Sequence, residues 1–164
     1  VIFKGGKDMQ GMTLIVKTVV RIVSAFIVLY GIYIILYGHL TPGGGFPGGV
    51  IIAAAFILIM LAYGKEVALK RFGDRSASLL DNLGALGFLS IALLGITGGY
   101  FFLNFINHGQ PFRLISAGTI PLSNIAIGIK VSVCLYAVFI ALAIFGRAVY
   151  RARGGKDLKG GGER

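Results

Sequence analysis

Residues 14–37, LIVKTVVRIVSAFIVLYGIYIILY, are apolar at nearly every position, with Lys17 and Arg21 the charged exceptions. At an α-helical rise they make a rod of about 36 Å, enough to cross a hydrocarbon core of about 30 Å. The same reading predicts spans over 47–63, 83–105 and 125–145, the second at the short end of what crosses a bilayer. Strands are excluded, because no two-residue alternation runs through these stretches and lipid offers no partner for unpaired backbone groups. Composition agrees: of 164 residues 56% are hydrophobic and 13% charged, and the mean hydropathy is +0.86. The expected fold class is all-α, an integral membrane protein with four transmembrane helices. A soluble enzyme is excluded. The first stretch is too long for a cleavable signal peptide and is read as a span.

A net charge of +10 would suggest nucleic acid in a soluble chain, but its distribution points elsewhere. Lys4, Lys7, Lys17 and Arg21 precede or open the first span, and Lys65, Lys70, Arg71 and Arg75 follow the second. Arg147, Arg151, Arg153, Lys156, Lys159 and Arg164 follow the fourth, while the other two connections carry only Arg113. This asymmetry predicts both termini and the middle connection in the cytoplasm of a multi-pass cell-membrane protein. All six acids, Asp81 among them, are expected on that side or at its edge. The basic excess suits anionic lipid headgroups or acidic partner surfaces.

Three regions follow: a flexible N-terminus over 1–11, with Met9 or Met12 as an internal start, a four-helix membrane domain over 12–150, and a flexible basic tail over 151–164. No internal repeat is visible. Gly84, Gly87, Gly95 and Gly98 fall on one stripe of the third span at helical spacing, and small residues on one face let another helix approach closely. Helix packing is therefore their expected role, against the alternative that they reflect the ordinary glycine content of membrane helices. Cys134 has no intrachain partner and is read as a small packing residue. Ser123 or Asn124 is placed to cap the fourth helix.

Between the first two spans lies GHLTPGGGFPGG, residues 38–49, with six glycines and two prolines in twelve positions. Gly43, Gly45 and Gly48 satisfy G-x-G-x-x-G literally, but a dinucleotide site needs a preceding strand, and this turn follows a membrane helix. The physical reading is a tight, non-helical, re-entrant turn packed backbone to backbone against protein, including a partner subunit. His39 in this turn and His108 in the other outer connection are candidates for a proton relay or for plain surface roles. With no neighbouring acid or cysteine they make a poor metal site, so no metal ligands and no catalytic residues are assigned. Lys130 stands about 9 Å inside the fourth span, either snorkelling to the outer surface or lining an ion path and pairing with a partner's carboxylate. Asn124 joins His39 and Lys130 as a candidate for an ion path or subunit contact.

The string over 38–49 closely resembles the signature of the MnhB domain, found in the MnhB subunit of Mrp-type multisubunit sodium/proton antiporters. Gly38, His39, Pro42, Gly43, Gly44, Gly45, Phe46, Pro47, Gly48 and Gly49 carry the match, which sits between the first two of four spans as in that family. Residues 120–131, IPLSNIAIGIKV, form a second, looser match. The resemblance implies an accessory membrane subunit that works next to larger antiporter-like subunits, in an Mrp-type antiporter or an archaeal membrane-bound hydrogenase-like respiratory complex. Two departures, Leu40 where the antiporter branch often has Asn and the charge of Lys130, bring the chain nearer to the hydrogenase-type branch.

The expected function is thus support of assembly and ion translocation in a cation/proton antiporter module, with no catalysis by this chain alone and no bound cofactor. Sodium ions and protons are the expected transported species, and the expected partners are other membrane subunits and the lipid bilayer, not nucleic acid. The alternatives are an autonomous homo-oligomeric transporter or channel, and a membrane-embedded enzyme using His39, His108 and Arg113.

Overall fold

In the computed structural model, residues 12–64, 74–106, 112–113 and 116–157 are described. They form α1 (Leu14–Tyr37), α2 (Gly45–Tyr63), α3 (Asp74–Leu94) continued by a 3-10 turn (Gly95–Gly98), and α4 (Ile120–Asp157). Four segments, Leu14–Tyr37, Gly45–Tyr63, Ser76–Gly98 and Ile120–Ala143, are long and apolar enough to cross a membrane.

Glycine and alanine decide how these helices meet. In α1 the buried residues Val20, Ser24, Gly31, Ile34 and Ile35 recur at helical spacing and face α2. The two helices run antiparallel: Gly48 lies beside Gly31 and Ile35 at one end, and the Met12 amide donates to the Ala62 carbonyl at 3.0 Å at the other. There the Tyr63 hydroxyl also donates to the Lys17 carbonyl at 3.1 Å. α2 and α4 run parallel, with Gly45 on Asn124 and Ile127, Gly49 on Gly128 and Val131, and a cluster of Met60, Tyr136 and Ile140 with Phe56 beside it. α3 returns antiparallel on α4, where Gly84 meets Ala126 and Lys130.

The helices therefore follow the order α1, α2, α4, α3, with a smaller direct contact between α1 and α4 where Ile35 reaches Gly128. Among the described residues α3 makes at most a marginal contact with α1 or α2. The interior is thin: among the described residues no large side chain is fully buried, and Ala53, Ala55, Ala62 and Ala92 are the most enclosed apolar ones. Such packing relies on close backbone approach, since lipid tails remove the hydrophobic drive between helices. Phe26, Leu29 and Tyr30 of α1 and Leu79, Leu83 and Leu86 of α3 face outward.

Several sequence-based boundaries shift. The second span begins at Gly45 rather than at 47, because Pro47 occupies the first helical turn, where its missing N–H is no loss. The third lies at Ser76–Gly98 rather than 83–105. Gly99, at φ +107°, ends it as its amide donates to the Ile96 carbonyl at 2.8 Å. The fourth starts at Ile120, five residues before position 125, since Pro121 too is tolerated in a first turn; Ser123 and Asn124 lie inside the helix and do not cap it. α4 also continues to Asp157, through residues 151–157 of the tail expected to be flexible, and takes in Gly154 and Gly155 despite the low helix propensity of glycine. Residues 1–11 lie outside the described residues.

Candidate functional site

The Gly/Pro segment divides into two parts. Only residues 38–44 form a non-helical turn, and residues 45–49 are the first turn and a half of α2, so the sequence expectation of a non-helical turn over all twelve residues is corrected. The Tyr37 carbonyl accepts from the amides of Leu40 and Thr41, each at 2.9 Å, and from the Thr41 hydroxyl at 3.1 Å. Pro42 is exposed, and Gly43 lies against Ile34. Gly44 enters the helix at φ +128°, ψ −170°, a backbone shape open only to glycine. A Cβ on Gly38 would overlap the Gly44 backbone, so the turn closes glycine on glycine.

Gly45, Gly48 and Gly49 then hold α2 between its two neighbours. A Cβ on Gly48 would overlap Ile35 and come within 2.8 Å of the Gly31 carbonyl, and one on Gly49 would lie 2.8 Å from the Gly128 carbonyl. Phe46 points away from this packing and is 63% exposed. Asn124 sits on the other side of the turn, its backbone against Gly45 and its side-chain oxygen near Gly44.

His39 ties the turn to the connection between α3 and α4: its Nε2 donates to the Arg113 carbonyl at 3.3 Å. Its Nδ1 is buried without a hydrogen-bond partner among the described residues. His108, and with it the expected approach of the two histidines, lies outside the described residues. Nearby, Asn104 Oδ1 accepts from the Ile106 and Thr119 amides at 3.2 Å each, organising the entry to α4.

Lys130 is ten residues from the start of the span Ile120–Ala143, about 15 Å by helical rise and near its middle. It does not snorkel toward the turn end. Its Nζ donates to Asp81 Oδ1 at 2.7 Å, one helical turn beyond Gly84 in the direction of the opposite end. Asp81 is accordingly inside the third span, five residues past Ser76, and not at its edge. The pair is neutral as a whole and incompletely covered, with 43% of the Lys130 side chain and 34% of the Asp81 side chain exposed. Sequence reasoning missed Asp81 because the third apolar run reads as beginning at 83, just after it. The signal was present in Lys130 itself, since a lysine at mid-span requires a partner.

The glycine stripe of the third span also divides. Gly84 packs closely on α4 and Gly87 faces Ala126, whereas the nearest neighbours of Gly95 and Gly98 among the described residues are Phe102 and Leu103 of the chain's own return. Cys134 is exposed rather than packed, on the wall of a cleft of about 440 Å³ shared with Phe46, Ala85, Phe88, Ile127 and Lys130.

This arrangement has relatives. Residues 15–137 match the family model described as a domain related to the MnhB subunit of Na+/H+ antiporters. The chain belongs to the MnhB family. Among individual relatives, it is 43% identical over 126 residues to the uncharacterized protein MJ1307 of Methanocaldococcus jannaschii, covering 73% of this chain and 48% of that protein. It is 39% identical over 62 residues to the putative antiporter subunit mnhB2 of Staphylococcus aureus, covering 38% of this chain and 44% of the relative. This MnhB-family chain thus spans about half the length of the curated relatives it matches. A chain in the structure of the membrane-bound sulfane sulfur reductase, an archaeal respiratory membrane complex, superposes with a TM-score of 0.69 at 33% identity, over 82% of this chain and 62% of that one.

Proposed function

We propose that this chain is an accessory membrane subunit of a multisubunit cation/proton-translocating complex, supporting assembly and ion movement without chemistry of its own. The observation that carries the reading is the one-sided row of helices: only 17% of the third span's apolar window and 22% of the fourth's is buried within the chain. A wall of this kind leaves most of its surface for lipid and for companion subunits. Membership in the MnhB family and likeness to a chain of a respiratory membrane complex support the same reading.

Sodium ions and protons are the proposed transported species, in an antiporter module that stands alone or serves an ion-pumping oxidoreductase of the cell membrane. The excess of basic residues in the termini and the connection between α2 and α3 supports cytoplasmic placement of those segments. The Asp81–Lys130 pair neutralises itself, so this chain contributes a fixed polar point in the membrane rather than a relay of acids.

Reconstituting the isolated chain into liposomes tests the accessory role. No sodium or proton flux above protein-free vesicles is expected. Flux carried by the lone chain would instead make it an autonomous homo-oligomeric transporter or channel.

A further inference from the structure

The helices α2 and α3 both pack on α4 but scarcely on each other, which leaves a V-shaped cleft with α4 as its floor. Its walls are apolar: Phe46 from α2, Ala85 and Phe88 from α3, and Ile127 and Leu135 from α4. Lys130 is the charged residue of the lining, and its partner Asp81 stands one turn along α3. Among the described residues, this ion pair has a single hydrogen bond, Nζ to Oδ1. The second carboxylate oxygen and the remaining ammonium hydrogens still need partners, with Lys130 about 15 Å into its span and Asp81 about 7.5 Å into its own.

We propose that this cleft seats a transmembrane helix of a second, different subunit, which presents an amide or hydroxyl side chain to the Asp81–Lys130 pair. The inference rests on the reading of the chain as a subunit of a larger complex. Acyl chains can fill an apolar volume but offer neither a donor to the carboxylate nor an acceptor to the ammonium, and charged groups in membrane spans face protein or water-filled cavities. A lipid headgroup would have to sink about 7.5 Å past Ser76 to reach Asp81, and further to reach Lys130. A second copy of this chain fits poorly, because a two-fold contact sets cleft against cleft and leaves the space between them empty. The incoming side chain is neutral because the pair already sums to zero, and a further full charge would have no counterpart. An amide or hydroxyl both donates and accepts, which matches the two unfilled ends. Gly84 and Ala126 are taken up by the α3–α4 contact that forms the floor of the cleft, and Ala85 is the small residue of its α3 wall.

Photo-crosslinking in the intact, co-purified complex tests this. p-Benzoylphenylalanine replaces Phe88 or Leu135, both in the cleft lining, and Leu86, exposed on α3 outside the lining, serves as control. The expected result is that Phe88 and Leu135 adducts map to one transmembrane segment of another subunit, that this segment carries Asn, Gln, Ser or Thr at the depth of the pair, and that the adduct is lost when companion subunits are stripped away. Phospholipid adducts from both positions, adducts to a second copy of this chain, or a crosslinked segment apolar at that depth would each overturn the proposal while leaving the subunit reading intact. Failure to recover any companion subunit would instead overturn the subunit reading, and the proposal with it.

Discussion

Lys130 of α4 and Asp81 of α3 form an ion pair at 2.7 Å, inside the membrane spans of both helices. Removing one partner leaves the other charge uncompensated, whereas removing both leaves two neutral polar groups that still bond. Asp81→Asn or Lys130→Gln alone is expected to cost about 2–3 kcal/mol, below the roughly 3–5 kcal/mol of a wholly buried pair because the side chains keep 43% and 34% exposure. The double variant should recover most of this loss. The amount of chain retained in the purified complex, for the singles against the double, measures it, and equal losses in all three would refute coupling.

The turn before α2 makes a steric prediction. Gly48→Val drives a side chain into Ile35 and the Gly31 carbonyl, and should cost about 2–3 kcal/mol of overpacking. Gly44→Val places a β-branched residue at φ +128°, a backbone strain of about 1–3 kcal/mol. By contrast Gly146, where a methyl group would meet nothing within 4 Å, is a helical glycine whose change to alanine should stabilise by about 0.5–1 kcal/mol. Thermal stability of the assembled complex ranks the three, and wild-type assembly in the Gly44→Val, Gly48→Val double variant would sink the tight-packing account.

How much of this is readable from residues alone depends on whether the deciding force is local. Four apolar runs announce four spans because bilayer thickness dictates length, and the Gly/Pro composition of 38–49 announces a sharp reversal. Boundaries fail where a local rule meets a tertiary partner. Asp81 looks like an end marker until Lys130 compensates it, and Pro47 and Pro121 look like breakers although each falls in a first helical turn. The spatial order α1, α2, α4, α3 is not legible, because it rests on which glycines meet which backbones across helices far apart in sequence. The stripe from Gly84 to Gly98 shows the same limit: a common helical face ends where the 3-10 turn begins, so Gly95 and Gly98 meet Leu103 of the chain's own return.

At the turn end, two side chains hold the connection that leads into α4. Asn104→Ala removes the acceptor for the Ile106 and Thr119 amides and should destabilise locally by about 1–3 kcal/mol. His39→Ala, which frees the Arg113 carbonyl, should cost about 0.5–1.5 kcal/mol. Hydrogen exchange of the Thr119 amide should accelerate more in the Asn104 variant than in the His39 variant. The reverse order would show that the histidine, not the asparagine, organises this end.

The proposed topology is checked by labelling. Single cysteines at residue 70 and residue 113, introduced with Cys134→Ala, should react with a membrane-impermeant maleimide from opposite sides of the membrane. The one at 70 is expected to label only in inverted vesicles and the one at 113 only in intact cells. The opposite pattern would reverse the cytoplasmic placement of the termini.

The most direct test of the account is purification of this chain, tagged at its C-terminus, from its own membranes in mild detergent, followed by quantitative mass spectrometry of what comes with it. A subunit role requires larger antiporter-like membrane proteins at constant stoichiometry with this chain. Recovery of this chain alone, as a stable monomer or homo-oligomer, would contradict it.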